Sequence, residues 1–374
     1  MSLQYIFGGS GAGKSTYLYN SIIKESIKNP LENYIIVVPE QYTMATQKRV
    51  VELHPRKGVL NIDVVSFERL AYKVFEEVGA ADYPVLDDTG KNLIVRRVLE
   101  QNKKALRFFG SNISNTGFVS ELKSVISEML QYDISVDKLL DINKNVDNNS
   151  LLGMKLDDIS LIYGGFRQFI KNNYITSEEI LDLMCRKVTE SSKIRGSVIA
   201  FDGFTGFTPV QYRLMAILLD MCKEVKVALT IDISEHVNIN EGIESLFYMT
   251  KDTVAHLNRL CDEGHINVDK VTVGEDTVLT RFAASKELAF LEKNIFRPGL
   301  RYYSGKVNDI VMYAGITPKD EIQYVSGEIL KLTRLQGFRY NEIAVVTGDI
   351  SVYGKLAANI FAQNDIPYFL DQKL

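Results

Sequence analysis

Gly8-Gly9-Ser10-Gly11-Ala12-Gly13-Lys14-Ser15 fits the pattern G-x-x-x-x-G-K-[ST] without deviation, and it sits between two elements of different period. Upstream, Leu3 to Phe7 is a continuous apolar run of strand length. Downstream, Tyr19, Ile22, Ile23 and Ile27 recur at helical spacing. A strand that turns through glycines into a helix can wrap backbone N–H groups around phosphate oxygens, and the helix N-terminus adds its positive dipole end. In such a loop the lysine reaches the β- and γ-phosphates and the hydroxyl residue ligates Mg2+. Gly8, Gly9, Ser10, Gly11, Ala12, Gly13, Lys14 and Ser15 are therefore the expected ATP contacts, with Ser15 also a metal ligand. A chance glycine-rich turn would have no reason to sit between that strand and that helix.

Working outward, Tyr34 to Val38 reads as a second strand stopped by Pro39, and Leu60 to Val65 as a third. Ser66 is a plausible N-cap for a helix over Phe67 to Val78. Alternating strands and helices with unbroken apolar strands predict a parallel sheet covered on both faces. From Asp87 to about Lys193 the period is almost wholly helical. Asp88 or Thr89 would cap a helix to Gln101. Val119, Leu122, Ile126, Met129 and Leu130 form one apolar stripe, and Ile159, Tyr163, Phe166, Phe169 and Ile170 another. Thr176 and Glu179 have capping-box spacing.

The strand pattern resumes at Ser197 to Phe201, closed by Asp202. Thr208, Pro209 and Gln211 supply N-cap, first-turn proline and capping-box acceptor for a helix through Cys222. Val225 to Ile231 is the next strand. Asp309 to Ala314, Ile343 to Thr347 and Ile366 to Leu370 read as strands around a helix over Lys319 to Leu335 and a later one. The expected fold is α/β: a P-loop NTPase with a RecA-like parallel sheet over residues 1–85 and 195–300. A helical insertion fills 86–194, and a second RecA-like domain starts at 301–374 and is cut off before its sheet is complete.

A phosphate loop needs a carboxylate at the end of a neighbouring strand to hold the magnesium water shell, and Asp202 is the candidate. A turn or helix cap is its other possible role. Motor ATPases carry a glutamate directly after that aspartate to activate water. Here the residue is Gly203. Losing a general base typically costs about 10²–10⁴ in rate.

Taken together, Gly8 to Ser15, VVPEQYT (Val37 to Thr43), VVSFERLAYKVF (Val64 to Phe75), FDGFTGFTPVQ (Phe201 to Gln211) and IPYFLD (Ile366 to Asp371) carry a resemblance. The chain resembles, along its length, the amino-terminal part of the AddB family, the B subunits of bacterial AddAB helicase–nucleases. The phosphate loop is generic; FDGFTGFTP together with VPEQ is specific. The resemblance implies a UvrD-like superfamily 1 helicase fold with a decayed motor. It implies a heterodimer with an AddA subunit that performs ATP-driven unwinding, and action on single- and double-stranded DNA at double-strand breaks in homologous recombination. It also implies help in recognising Chi, and a nuclease domain with an iron–sulfur cluster far beyond Leu374. The chain is then an amino-terminal fragment, with no catalytic residue of its own and no cluster ligand among its cysteines.

By the same resemblance Ser66 and Phe67 stand where active relatives touch single-stranded DNA, and Gln41 and Thr43 near another such contact. Phe67 could equally be a core aromatic. No glutamine-bearing adenine-recognition segment precedes Leu3. Thr347-Gly348-Asp349 replaces an arginine directed at the γ-phosphate, and such arginines contribute about 10³–10⁵ in rate. Two other classes stay open: an active ATPase or small-molecule kinase, and a partner-binding module with a vestigial loop.

Composition limits the rest. With 46% hydrophobic and 24% charged residues in 374, two or three globular domains are expected. A net charge of −4 gives no global support for nucleic-acid binding, so any DNA contact must come from a local groove. Arg96-Arg97 and Lys103-Lys104 could track a phosphate backbone, but solvated helix faces look the same. The 3 cysteines and 4 histidines have neither disulfide nor metal spacing. No signal-peptide pattern and no apolar run of roughly 20 residues is present, so a cytoplasmic protein without a membrane span is expected.

Overall fold

A computed structural model describes residues 1–79, 84–111, 115–147, 149–171, 173–239, 242–274, 280–297 and 299–371. The chain divides into two compact units, Met1–Ala284 and Ser285–Leu374.

The first unit opens with β1 (Ser2–Gly8), α1 (Lys14–Lys28), β2 (Tyr34–Val37), α2 (Thr43–Leu53), β3 (Ile62–Val65) and α3 (Phe67–Val78). A helical block follows. A two-residue bridge pairs β4 (Val85–Leu86) with β5 (Ile175–Thr176). Between them run α4 (Asp88–Asn102), α5 (Thr116–Gln131), α6 (Val136–Asn143) and α7 (Leu151–Ile170), and α8 (Ile180–Lys187) comes after. The main sheet then resumes with β6 (Val198–Phe201), α9 (Pro209–Met221), β7 (Glu224–Thr230), α10 (Tyr248–Gly264) and β8 (Asn267–Thr272).

The six strands lie in the order β3-β2-β6-β7-β1-β8, and every neighbouring pair is parallel. Strand alternation sorts the apolar residues into two cores. Tyr5, Phe7, Ile35, Val37, Ile199, Phe201 and Val227 face a core shared with Leu70 and Phe75 of α3 and Leu214 and Leu218 of α9. Ile6, Ile36, Ala200 and Ala228 face the opposite core, with Leu18, Ile22 and Ile23 of α1 and Val50 of α2. Burial on both faces is why β2 and β6 are apolar at every position. The helical block has its own core, in which Val119, Leu122, Ile126 and Leu130 meet Tyr163, Phe166 and Ile170. Lys91 is 2% exposed there, its charge met by Glu178 at 2.8 Å.

The caps follow local chemistry. Ser66 accepts from the Arg69 N–H, and Thr208 with Gln211 closes the expected capping box. The cap of α4 is Asp87, one residue before the expected Asp88 or Thr89; Asp88 is already helical and pairs with Lys123 and Lys91. Glu179 binds back to Thr176, as its spacing suggested, although Thr176 belongs to β5.

The second unit contains α11 (Lys286–Asn294), α12 (Pro318–Leu335) and α13 (Ile350–Gln363). Ile322, Ile329, Ile360 and Phe361 form its core. The runs 309–314, 343–347 and 366–370, expected as strands, are not strands. A strand exists only by laddering with a neighbour, and none of the three pairs with another described segment. Val346 and Phe369 accordingly stand 91% and 90% exposed.

Candidate functional site

In a parallel sheet the residues that follow each strand gather at one edge, the carboxyl ends. That edge collects the glycine-rich loop after β1, Pro39-Glu40-Gln41 after β2, Ser66-Phe67 after β3 and Asp202-Gly203 after β6. Residues separated by more than 180 positions thereby become neighbours. β7 alone stands between the strand of the loop and the strand of Asp202.

Gly11 and Gly13 take φ of +82° and +93°, and Gly13 is the N-cap of α1, with no side-chain cap bond. The first turn of α1 therefore presents backbone N–H groups that no cap has claimed. Lys14 folds back over the loop, its Nζ donating to the Gly8 and Gly9 carbonyls at 3.0 and 2.9 Å. Burial lowers its pKa, the Asp202 carboxylate works against that, and the Arg281 guanidinium adds to it. Lys14 and Asp202 are thus close enough to feel each other's charge. Arg281 reaches Ser10 Oγ at 3.4 Å, and a Cβ on Gly11 would stand 2.8 Å from Arg281 Cβ. Nothing in the sequence marks Arg281 as part of this loop.

Asp202 is 6% exposed, and its Oδ2 accepts a 2.5 Å hydrogen bond from the Tyr19 hydroxyl. Burial and the adjacent Asp202 carboxylate raise the pKa of the phenol, while Thr46 and Ser15 act weakly the other way. Sequence reading placed Tyr19 only in the apolar stripe of α1. The available signal was its spacing, four residues after Ser15 and so on the same helical face.

Gly203 has φ +80°, a left-handed conformation, and packs against Pro39 and Tyr42. The position of the missing glutamate is therefore shaped for a residue without a Cβ.

The four residues tied to DNA by resemblance have different surroundings. Gln41 is exposed. Thr43 is 6% exposed and donates to the Glu40 carbonyl. Ser66 is 5% exposed and capped onto Arg69. Phe67 is buried, its ring 5.3 to 5.6 Å from Phe204 and Phe201 and 6.4 Å from Phe207. An Arg69–Glu40 ion pair of 2.9 Å joins the two segments. On α4, Arg96 pairs with Glu100 and Arg97 lies over the Phe169 ring. Thr347 and Asp349, in the second unit, form the cap of α13.

Among the described residues no group of three or more His, Cys, Asp or Glu could hold a metal ion. Cys185, Cys222 and Cys261 are free thiols whose pKa values burial raises. Among the described residues no helix is long and apolar enough to cross a membrane.

The family model described as "ADDB, N-terminal" matches residues 5–292. The B subunit of the ATP-dependent helicase/deoxyribonuclease of Lachnoclostridium phytofermentans is 41% identical over 376 residues, covering 100% of this chain and 33% of that protein. The corresponding B subunits from Clostridium novyi and Caldanaerobacter subterraneus are 32% and 33% identical, again over 100% of this chain and 32% of theirs. The chain spans about a third of the length of these curated relatives. The family match over residues 5–292 and the similarity of the whole chain to the first third of these subunits show the same thing: the chain belongs to the AddB amino-terminal family.

Proposed function

We propose that this chain is the helicase-like, nucleotide-binding arm of the B subunit of a heterodimeric ATP-dependent helicase/deoxyribonuclease. In this reading the first unit is a RecA-like P-loop domain that binds ATP at Gly8 to Ser15. The observation that carries it is the 2.5 Å bond from Tyr19 of α1 to Asp202, which brings the helix that begins at Lys14 to the end of β6, although 188 residues separate Lys14 from Asp202 in sequence. A triphosphate entering the loop gains the free N–H groups of α1 and the charges of Lys14 and Arg281.

The same geometry supports binding without fast turnover. Gly203 supplies no base, and its left-handed backbone disfavours one. The subunit then acts as a static arm in the cytoplasm, partnered with an AddA subunit that unwinds double-stranded DNA and passes single strands across it. Exposed Gln41 is the most accessible of the DNA contacts suggested by resemblance. Processing of double-strand breaks for recombination, and Chi recognition, belong to the complete complex, whose nuclease domain and iron–sulfur cluster are expected outside these residues.

Titration of labelled ATP against wild type and Lys14→Ala tests the reading. A charge-assisted contact contributes about 1.5–3 kcal/mol, so Lys14→Ala should weaken binding by about tenfold or more. Equal and negligible binding by both would leave a scaffold with a vestigial loop. Motor-rate hydrolysis abolished by Lys14→Ala would make it an active ATPase.

A further inference from the structure

We propose that Tyr19 takes the place of a divalent cation in this phosphate-loop site, so that nucleoside triphosphate binds here with little dependence on Mg2+. The inference rests on the nucleotide-binding reading above and deepens it.

The residue types expected to hold the metal are present, but their surroundings do not fit it. Ser15 and Tyr19 lie one turn apart on α1 and share a face. The Tyr19 hydroxyl donates to Asp202 Oδ2 at 2.5 Å, so a residue on the helical face of Ser15 already engages the carboxylate expected to hold the metal's shell. Tyr19 is itself 5% exposed and belongs to the core beneath α1, so its ring is held by packing.

Mg2+ demands near-octahedral oxygen ligands at about 2.0–2.1 Å and keeps several waters. That shell needs the position of the phenol oxygen and the carboxylate oxygen it has taken, both of which Tyr19→Phe vacates. Positive charge toward a triphosphate comes instead from Lys14 and Arg281, both already at the loop. Two fixed cations on side chains replace a cation from solution.

The experiment measures the affinity of the full chain for a fluorescent ATP analogue in excess EDTA and in excess Mg2+, for wild type and Tyr19→Phe. Wild-type affinity should change less than about threefold between the two conditions. In Tyr19→Phe the freed carboxylate should let Mg2+ strengthen binding by about tenfold or more, the worth of one hydrogen bond to a charged group. Wild-type binding that Mg2+ strengthens by that factor, with Tyr19→Phe unchanged, overturns the proposal. The wild-type comparison needs no variant, so it stands even if Tyr19→Phe folds poorly. Absence of analogue binding to wild type in both conditions would sink the nucleotide reading rather than this one. Mn2+ alone, followed by its paramagnetic signal without nucleotide, then decides: uptake by wild type overturns the Tyr19 assignment, and uptake only by Tyr19→Phe upholds it.

Discussion

Phe67 offers a direct choice between packing and DNA contact. Its ring is 7% exposed and lies 5.3 to 6.4 Å from Phe201, Phe204 and Phe207. Truncating such a buried ring to alanine costs about 3–5 kcal/mol, a sum of lost transfer energy and an unfilled cavity. Phe67→Leu keeps most of the volume and should cost about 1–2 kcal/mol. The chain has no Trp, so urea unfolding is followed by far-ultraviolet circular dichroism and tyrosine fluorescence. Single-strand binding is followed by anisotropy of a labelled oligonucleotide. A base stacked on an aromatic contributes about 1–3 kcal/mol, but stacking needs an open ring face, and this ring has none. Phe67→Leu should therefore lower stability while leaving oligonucleotide affinity within about twofold, well below the loss expected of a stacking partner. Unchanged stability with affinity reduced about tenfold or more would refute the packing assignment.

Two further outcomes follow from residues around the sheet. Gly203→Ala and Gly203→Glu should each cost about 1–2 kcal/mol in urea unfolding, because a Cβ in the left-handed region is strained; the space beside it is ordinary contact distance, 3.4 Å to Pro39 Cδ. Phosphate release should stay at background in Gly203→Glu, and motor-rate turnover there would contradict a site shaped for glycine. Burial alone would raise the Glu77 pKa, but hydrogen bonds from Ser191, Ser192 and Lys193 take it from its ordinary 4.5 to about 2. A depressed folded-state value stabilises above the unfolded pKa and is lost as pH falls from about 4.5 toward 2. Unfolding of Glu77→Gln should lack that component of the acid loss, and identical pH profiles for the two proteins would show that Glu77 contributes none.

The sequence was most readable where local chemistry and burial agree. β1, β2, β6 and β7 announced themselves because they are buried on both faces, and α3 and α9 because Ser66 and Thr208 cap them. β8 escaped notice: Asn267 to Lys270 are all exposed, and only backbone pairing with β1 makes the segment a strand. The error in the other direction, at 309–314, 343–347 and 366–370, has the same root. Apolar β-branched residues show a preference, whereas a ladder depends on partners that no local window contains. Within the candidate site, Gly8 to Ser15 and Asp202 were legible as residue types. Arg281 was not, since it lies 271 residues from Ser10 and only the fold brings the two together. Tyr19 looked like core because it is core, at 5% exposure, with one polar atom placed where it matters.

The stretch Phe201 to Pro209 is the most distinctive in the chain, and its phenylalanines are devoted to holding α3 and α9 against the sheet. Kinship read from those letters is a statement about how the scaffold is clamped together, not about whether its catalytic parts still run. A descendant could lose Lys14 altogether and still carry the signature, because the rings of Phe201, Phe204 and Phe207 pack on one another and on Phe67, not on Lys14.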